Sequence, residues 1–234
     1  MIVYKDIEQR TDEWFELKWG KIGGSTSKGL FVDSDNLFIE LLSQHLEEYE
    51  PEEGFTTDAM QRGNDLEPFA RDYISKYANI QFNEVGWIES KQCSLMGVSP
   101  DGVSEDLTMA CEIKCLGKKA HTQILLENAT PAMYIPQILQ YFTVNPKLEK
   151  LWFIAFRPES IKHYVEVFTR ESVIDMGLKI EVEVEVIGKK GLPIKPKIEK
   201  HADLKPIDEW CGVSIDRAIQ LENRIKQQVE QFKF

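Results

Sequence analysis

Near residue 80 the hydrophobic period of this chain changes from helical to extended, and near residue 118 it changes back. A chain with helical spacing on both sides of a run of strands has to lay those helices over a sheet, which restricts it to α/β or α+β architectures. Upstream of the change, Thr11 is a good N-cap, followed by an acidic first turn and by Trp14, Leu17 and Lys18 on one helical face. Gly20 and the run Gly23-Gly24-Ser25-Thr26-Ser27 end that helix. The spacing predicts a second helix from Asn36 to Tyr49, around Leu37, Leu41 and Leu42. Pro51 and Gly54 separate it from a third over Thr57 to Ala78, where Met60, Leu66, Phe69, Tyr73, Ile74 and Tyr77 form the expected buried stripe.

Within the extended part, Ile80 to Ile88 and Cys93 to Val98 read as strands, followed by the turn Ser99-Pro100-Asp101-Gly102 and a strand from Met109 to Cys115. Helices are predicted over Lys118 to Glu127 and Pro131 to Thr143, with Pro136 either kinking the second or moving its start towards Tyr134. Leu151 to Phe156 and His163 to Phe168 read as antiparallel strand neighbours. Lys179 to Val186 is ambiguous, because its Ile/Glu/Val/Glu alternation favours a strand and its three glutamates favour a helix. Gly188 to Asp203 reads as a linker or long hairpin, and Pro206 to Phe234 as an amphipathic helix. The order predicts an α/β fold with a central mixed β-sheet flanked by helices. The core would occupy residues 1–171, with a C-terminal extension over 172–234 packed on it.

The net charge of −11 argues against a protein that coats nucleic acid non-specifically. It is compatible with a site that gathers acidic residues around a cation beside a local positive lining. The four cysteines, Cys93, Cys111, Cys115 and Cys211, form no Cys-x-x-Cys pair and read as inert buried thiols rather than a disulfide framework or cluster ligands. His121 and His163 lack the spacing of a metal pair. No apolar run is long enough to span a membrane and no signal peptide is recognisable, so an intracellular location is expected.

The chemistry concentrates between residues 97 and 115. Asp101 sits in a turn that opens a strand, and Glu112 and Lys114, two apart on the next strand, emerge on one face. If the two strands pair as a hairpin, Asp101 lies near Glu112. Two carboxylates and a backbone carbonyl, such as that of Ile113, are then the hard oxygen donors that Mg²⁺ prefers. The plainer alternative is a solvated hairpin face carrying charges of both signs.

Pro100-Asp101 followed by Glu112-Ile113-Lys114 resembles the PD-(D/E)xK nuclease motif. Arg62-Gly63-Asn64-Asp65-Leu66-Glu67, Trp14-x-x-x-Lys18-x-Gly20 with Ser25, and Tyr134-x-x-Gln137 with Gln140 resemble, in the same order, motifs of the lambda exonuclease and YqaJ-like viral recombinase nucleases. The resemblance spans about residues 8 to 170. It implies a restriction-endonuclease-like core in which Asp101, Glu112 and the Ile113 carbonyl bind metal. Lys114 would handle the attacking water, and Glu67 would be an acidic partner near a second ion. Lys18, Ser25, Ser99 and Gln137 match positions that contact a terminal 5′-phosphate in the family. Lys18 departs from the arginine usual there, which keeps the charge but loses the bidentate fork. Arg62 would contact phosphate or a partner, or else form a salt bridge with Glu67 or Asp65.

The activity implied is a Mg²⁺-dependent 5′–3′ exonuclease, with Mn²⁺ as substitute and two ions at work. It would digest linear double-stranded DNA from its ends to leave single strands for phage-type recombination. A homotrimeric ring, a single-strand annealing protein as partner, and the cytoplasm of a bacterial or phage-infected cell belong to the same implication. An endonuclease or repair nuclease of the same fold is the alternative enzyme, and a DNA-end-binding protein with an inactive site is the alternative without catalysis. Lys189 and Lys190 could touch DNA, with a solvated hairpin as the simpler reading.

Overall fold

The computed structural model of the chain describes residues 1–32, 34–51, 57–187 and 193–232, the side chains of 193–195 excepted. Gly54, read above as a helix break, and Gly188, Lys189, Lys190 and Gly191, read as linker or hairpin, lie outside the described residues. The chain opens with strand β1 (Ile2–Tyr4) and helix α1 (Asp12–Lys18), whose N-cap Thr11 accepts a hydrogen bond from the Trp14 amide. A 3-10 turn at Ser27–Phe31 leads to α2 (Asn36–Leu46), which stops three residues short of the expected Tyr49, and then to α3 (Asp58–Ala78). Four strands follow: β2 (Trp87–Glu89), β3 (Gly97–Val98), β4 (Gly102–Val103) and β5 (Met109–Cys115). Next come α4 (Lys118–Glu127), a 3-10 turn at Ala132–Tyr134 and α5 (Ile135–Val144). Pro136 sits in the first turn of α5, where its missing amide costs nothing, and this fixes the helix start beside Tyr134.

Strands β6 (Lys150–Phe156) and β7 (Tyr164–Thr169) complete a sheet of order β4-β5-β6-β7. The β5–β6 pair is parallel and the outer pairs are antiparallel, so the sheet is mixed, as expected. Parallel pairing requires a crossover, which α4 and α5 supply. Side-chain alternation divides the strands between two layers. Cys111, Ile113, Trp152, Ile154 and Phe156 pack with Ala70 and Ile74 of α3, whereas Ala110, Leu151, Phe153 and Ala155 join α5 in the main core. Glu112 and Lys114 therefore point to the α5 side of the sheet.

A smaller antiparallel sheet, β1-β2-β3, adjoins this layer, and Trp87 of β2 is fully buried. Gly97 of β3 lies so close to Trp87 that a Cβ there would stand 2.0 Å from the indole ring. Gly97→Ala is expected to destabilise the fold by about 3 kcal/mol through overpacking against a wall that cannot move. Urea denaturation checks it as a drop in midpoint at unchanged slope.

Helix α3 is rotated relative to expectation. Its buried positions are Glu67, Ala70 and Ile74, while Met60, Phe69 and Tyr77 are 56–64% exposed and Tyr73 leans over Phe156 and His163 at the rim. Small Ala70 lets the helix approach the sheet closely, and Glu67 tolerates burial because two arginines neutralise it. The region around Lys179–Val186 resolves as strand: β8 (Val173–Ile187) pairs with β9 (Pro193–Pro206) in a long antiparallel ribbon, irregular near Gly177. α6 (Ile207–Phe232) buries Ile207, Trp210, Ala218 and Ile225 against the main core. Among the described residues no helix is long and apolar enough to cross a membrane.

Candidate active site

The turn before β4 is pinned from several sides. Gln9 Nε2 donates to the carbonyls of Val85 (2.9 Å) and Pro100 (3.0 Å), and the Arg71 guanidinium donates to the Asp101 carbonyl. The Asp101 amide donates to the Tyr141 hydroxyl (3.3 Å). In the β4–β5 ladder Gly102 stands opposite Cys111, which places Asp101 beside Glu112. The Ile113 amide then donates to Asp101 Oδ2 at 2.6 Å. The spacing read from sequence thus brings Asp101, Glu112 and Lys114 together.

Glu112 is fully buried. Its Oε2 accepts from the Tyr141 hydroxyl at 2.7 Å, and its Oε1 receives no hydrogen bond but faces the Lys114 ammonium at 2.5 Å. Lys114 Nζ also donates to Gln137 Oε1 (3.2 Å) and lies 5.2 Å from the Tyr134 ring centroid. One face of α5 and the turn before it, Tyr134, Gln137 and Tyr141 at three- and four-residue spacing, therefore holds the two charged side chains of β5.

Burial, and then the charge of Glu112, push the Asp101 carboxyl well above the usual carboxylate range. Burial alone would lower Lys114, but the neighbouring Glu112 and Asp101 carboxylates outweigh it and hold the ammonium above its ordinary value. Burial followed by the Glu112 charge raises the Tyr141 phenol, which keeps its proton and remains a donor. Two desolvated carboxylates that repel one another form a strong site for a cation. Among the described residues no three His, Cys, Asp or Glu side chains gather as a metal cluster. A cation held by Asp101 and Glu112 would complete its shell from backbone oxygen, such as the Ile113 carbonyl, and from water, which suits Mg²⁺.

Glu67 is nearby but engaged. Its Oε2 accepts from Arg10 at 2.5 Å and its Oε1 from Arg71 at 2.6 Å, and Arg71 also reaches Glu84 at 2.8 Å. Its charge is neutralised by these guanidiniums and acts on Asp101 only as a secondary influence. Arg62 pairs with neither Glu67 nor Asp65: it donates to the Leu116 carbonyl (3.1 Å) and pairs with Glu159 (3.3 Å). That contact ties α3 to the segment just past β5.

The other sequence candidates surround two tryptophans. Lys18 Nζ lies 3.4 Å from the Trp14 ring centroid and 5.9 Å from that of Trp87, and burial brings its pKa down to about 8. Trp14 Nε1 donates to Ser99 Oγ (2.9 Å), whose own proton goes to the Gly86 carbonyl (2.8 Å). Ser25 is exposed, next to Gly24, where a Cβ would stand 2.9 Å from Gln137 Cγ. Gly23 abuts Trp87. Lys18 and Ser99 thus meet through Trp14, and Gly24, next to Ser25, packs on Gln137, which touches the Lys114 ammonium. Gln140 is fully buried and joins the Ile22 and Gly97 carbonyls, a structural tie.

Sequence reading missed Tyr141, Gln9, Arg10 and Arg71. Tyr141 and Arg71 each stand four residues after a candidate, Gln137 and Glu67, and so share its helical face. That offset is the signal that could have found them. The four cysteines are free thiols, and burial first, then the Glu67 charge, raise Cys115 to about 11.

In fold, the chain is similar to the crystal structure of LHK-Exo in complex with dAMP, at 21% identity and a TM-score of 0.70, over 95% of this chain and 96% of that one. It is similar over the same shares to the crystal structure of an alkaline exonuclease, LHK-Exo, from Laribacter hongkongensis, at 20% identity and a TM-score of 0.66. No curated protein sequence matches it. The YqaJ-like viral recombinase domain matches residues 13–146, more than half of the chain and a span that contains Lys18, Glu67, Asp101, Glu112, Lys114, Gln137 and Tyr141. The chain belongs to the YqaJ-like viral recombinase family.

Proposed function

We propose that the protein is a divalent-metal-dependent exonuclease that removes 5′-mononucleotides from the ends of linear double-stranded DNA, in the 5′ to 3′ direction. The observation that carries this reading is the convergence of buried Asp101 and Glu112 with the Lys114 ammonium at one point of the mixed sheet. Its fold relatives include an alkaline exonuclease and a complex with dAMP, a nucleoside 5′-monophosphate.

A bound Mg²⁺, or Mn²⁺ in its place, would supply Lewis-acid neutralisation of the phosphate and acidity for an attacking water. Asp101, Glu112 and the Ile113 carbonyl would hold it, and a second ion near Glu67 requires that carboxylate to release at least one of its arginines. Lys114, charged at neutral pH, is placed to stabilise the negative charge that grows on the phosphoryl oxygens at the transition state. Gln137 fixes the direction of that ammonium. Lys18, with Ser25 and Ser99, would hold the terminal 5′-phosphate and so set which phosphodiester reaches Lys114. Ser99 has to release its bond to Gly86 to donate there. In this reading the protein works as a homotrimeric ring beside a single-strand annealing protein, in the cytoplasm of a bacterial or phage-infected cell.

End-labelled linear duplex and covalently closed circle, incubated side by side with Mg²⁺, test the reading. Loss of label from linear DNA with the circle intact is expected; nicking of the circle moves the assignment to an endonuclease. Lys18 adds a pH dependence. It is charged below about pH 8 and neutral above it. The kcat/KM preference for 5′-phosphorylated over 5′-hydroxyl ends is therefore expected to fall as pH rises from 7 to 9 (roughly, one unit to either side). Equal degradation of the two ends at pH 7 contradicts the assignment of Lys18.

A further inference from the structure

We infer that Tyr141 is a positioning residue that fixes Asp101 and Glu112 relative to one another for a divalent cation, an inference that rests on the metal-dependent reading above. A tyrosine hydroxyl has one proton to give and lone pairs to receive with. Tyr141 gives its proton to Glu112 Oε2 at 2.7 Å and receives the Asp101 amide at 3.3 Å. A single oxygen thus joins the side chain of one carboxylate residue to the backbone of the other, across the gap between β5 and the turn before β4. Besides the Lys114 ammonium, Tyr141 is the only donor to the Glu112 carboxylate among the described residues. Lys114 faces Oε1 and Tyr141 holds Oε2, so the two together set the rotation of the carboxylate about its axis, and Tyr141 is the one of them that also binds the Asp101 backbone.

The ring itself is locked. Tyr141 is 2% exposed on α5, between the core residues Leu139 and Phe142 and beside fully buried Gln140. Its hydroxyl reaches the site from a rigid helix, whereas Asp101 rides on a turn that needs Gln9, Arg71 and the Ile113 amide to hold it. Groups that hydrogen-bond a metal ligand orient it, and their loss commonly weakens metal binding by 10- to 100-fold (roughly). The geometry assigns this work to Tyr141.

Tyr141→Phe removes the oxygen and leaves the ring in its packing. Calorimetric titration with Mn²⁺ is expected to give a dissociation constant about tenfold weaker than the parent's. Nucleotide release at limiting Mn²⁺ should fall with it and recover at saturating Mn²⁺. A dissociation constant within about twofold of the parent's overturns the inference, even if the melting temperature drops, because a purely structural hydroxyl affects folding and not the ion. If the parent takes up no Mn²⁺ at all, the inference and the reading beneath it both fall. If the parent binds Mn²⁺ without releasing nucleotides, the nuclease reading falls and the inference stands or falls on the ratio of the two constants. Should Tyr141→Phe not fold, 3-fluorotyrosine placed at position 141 alone answers while keeping the hydroxyl. One fluorine resonance is expected to move during a Mg²⁺ titration with the midpoint of metal binding, and the absence of any such shift overturns the inference.

Discussion

Asp101→Asn is expected to slow nucleotide release by at least about 10³-fold, the loss of roughly 4 kcal/mol of transition-state stabilisation that goes with a metal ligand. It is also expected to make the metal-free protein more stable. The Asp101 carboxyl is pushed up by burial and by Glu112, so its ionised form burdens the folded state. The asparagine oxygen can still accept from the Ile113 amide while carrying no charge. The expected gain is about 2–4 °C in melting temperature, equivalent to roughly 1 kcal/mol for a chain of this size. Its pH dependence follows from the direction of the shift. A carboxyl whose folded pKa lies above its unfolded one lowers stability as pH rises from the ordinary value of 3.8 through the folded value. The advantage of Asp101→Asn should therefore vanish near pH 4 (about the ordinary carboxylate pKa) and grow towards neutrality. Thermal melts in chelator at several pH values check the sign. A variant that loses activity while gaining stability excludes unfolding as the cause.

Lys114→Met separates catalysis from metal binding in the opposite way. The ammonium stands 2.5 Å from Glu112 Oε1, an oxygen that a cation would also need. Removing it should tighten Mn²⁺ binding while lowering the rate at saturating metal by about 10²–10³-fold, the usual loss for one preorganised donor to transition-state charge. In chelator the variant should lose about 3 kcal/mol of stability, because Glu112 keeps a buried charge without its partner. Saturating Mn²⁺ should restore more stability to the variant than to the parent, since an ion that binds only the folded state stabilises it by mass action. Denaturation with and without Mn²⁺, beside single-turnover kinetics, checks both halves. A parent and variant that bind Mn²⁺ equally would show that Lys114 does not compete for that oxygen.

The parts of the site that sequence exposes are those governed by local rules. Asp101 was legible because Ser99-Pro100-Asp101-Gly102 is a turn, and Glu112 with Lys114 because residues two apart on a strand share a face. Tyr141 was not legible by period, because α5 is buried nearly all round and its pattern marks no face as special. Arg71 and Arg10 were hidden for a related reason: they read as ordinary surface residues, and only the fold brings them to Glu67, with Arg71 also reaching the Asp101 carbonyl and Glu84. α3 was phased wrongly by its large side chains, since Phe69 and Tyr77 outweigh Ala70 in any hydrophobic count although Ala70 makes the close contact with the sheet. The short strands β2 and β3 were read too long because much of that region is held by hydrogen bonds from Gln9, Trp14 and Gln140 to its backbone, outside any ladder. The ribbon of β8 and β9 shows the same limit in reverse. Its glutamates look helical one by one, and pairing along its length decides in favour of strand.

The central claim is that Asp101, Glu112 and Lys114 act together on a DNA phosphodiester through one divalent ion. Release of acid-soluble nucleotide from 5′-phosphorylated linear duplex tests it most directly, measured for the parent and for Glu112→Gln with Mg²⁺, with Mn²⁺ and with chelator. Release by the parent with either ion, none in chelator, and none by the variant under any condition is the predicted result. Release that continues in chelator, or that survives in Glu112→Gln, would contradict it.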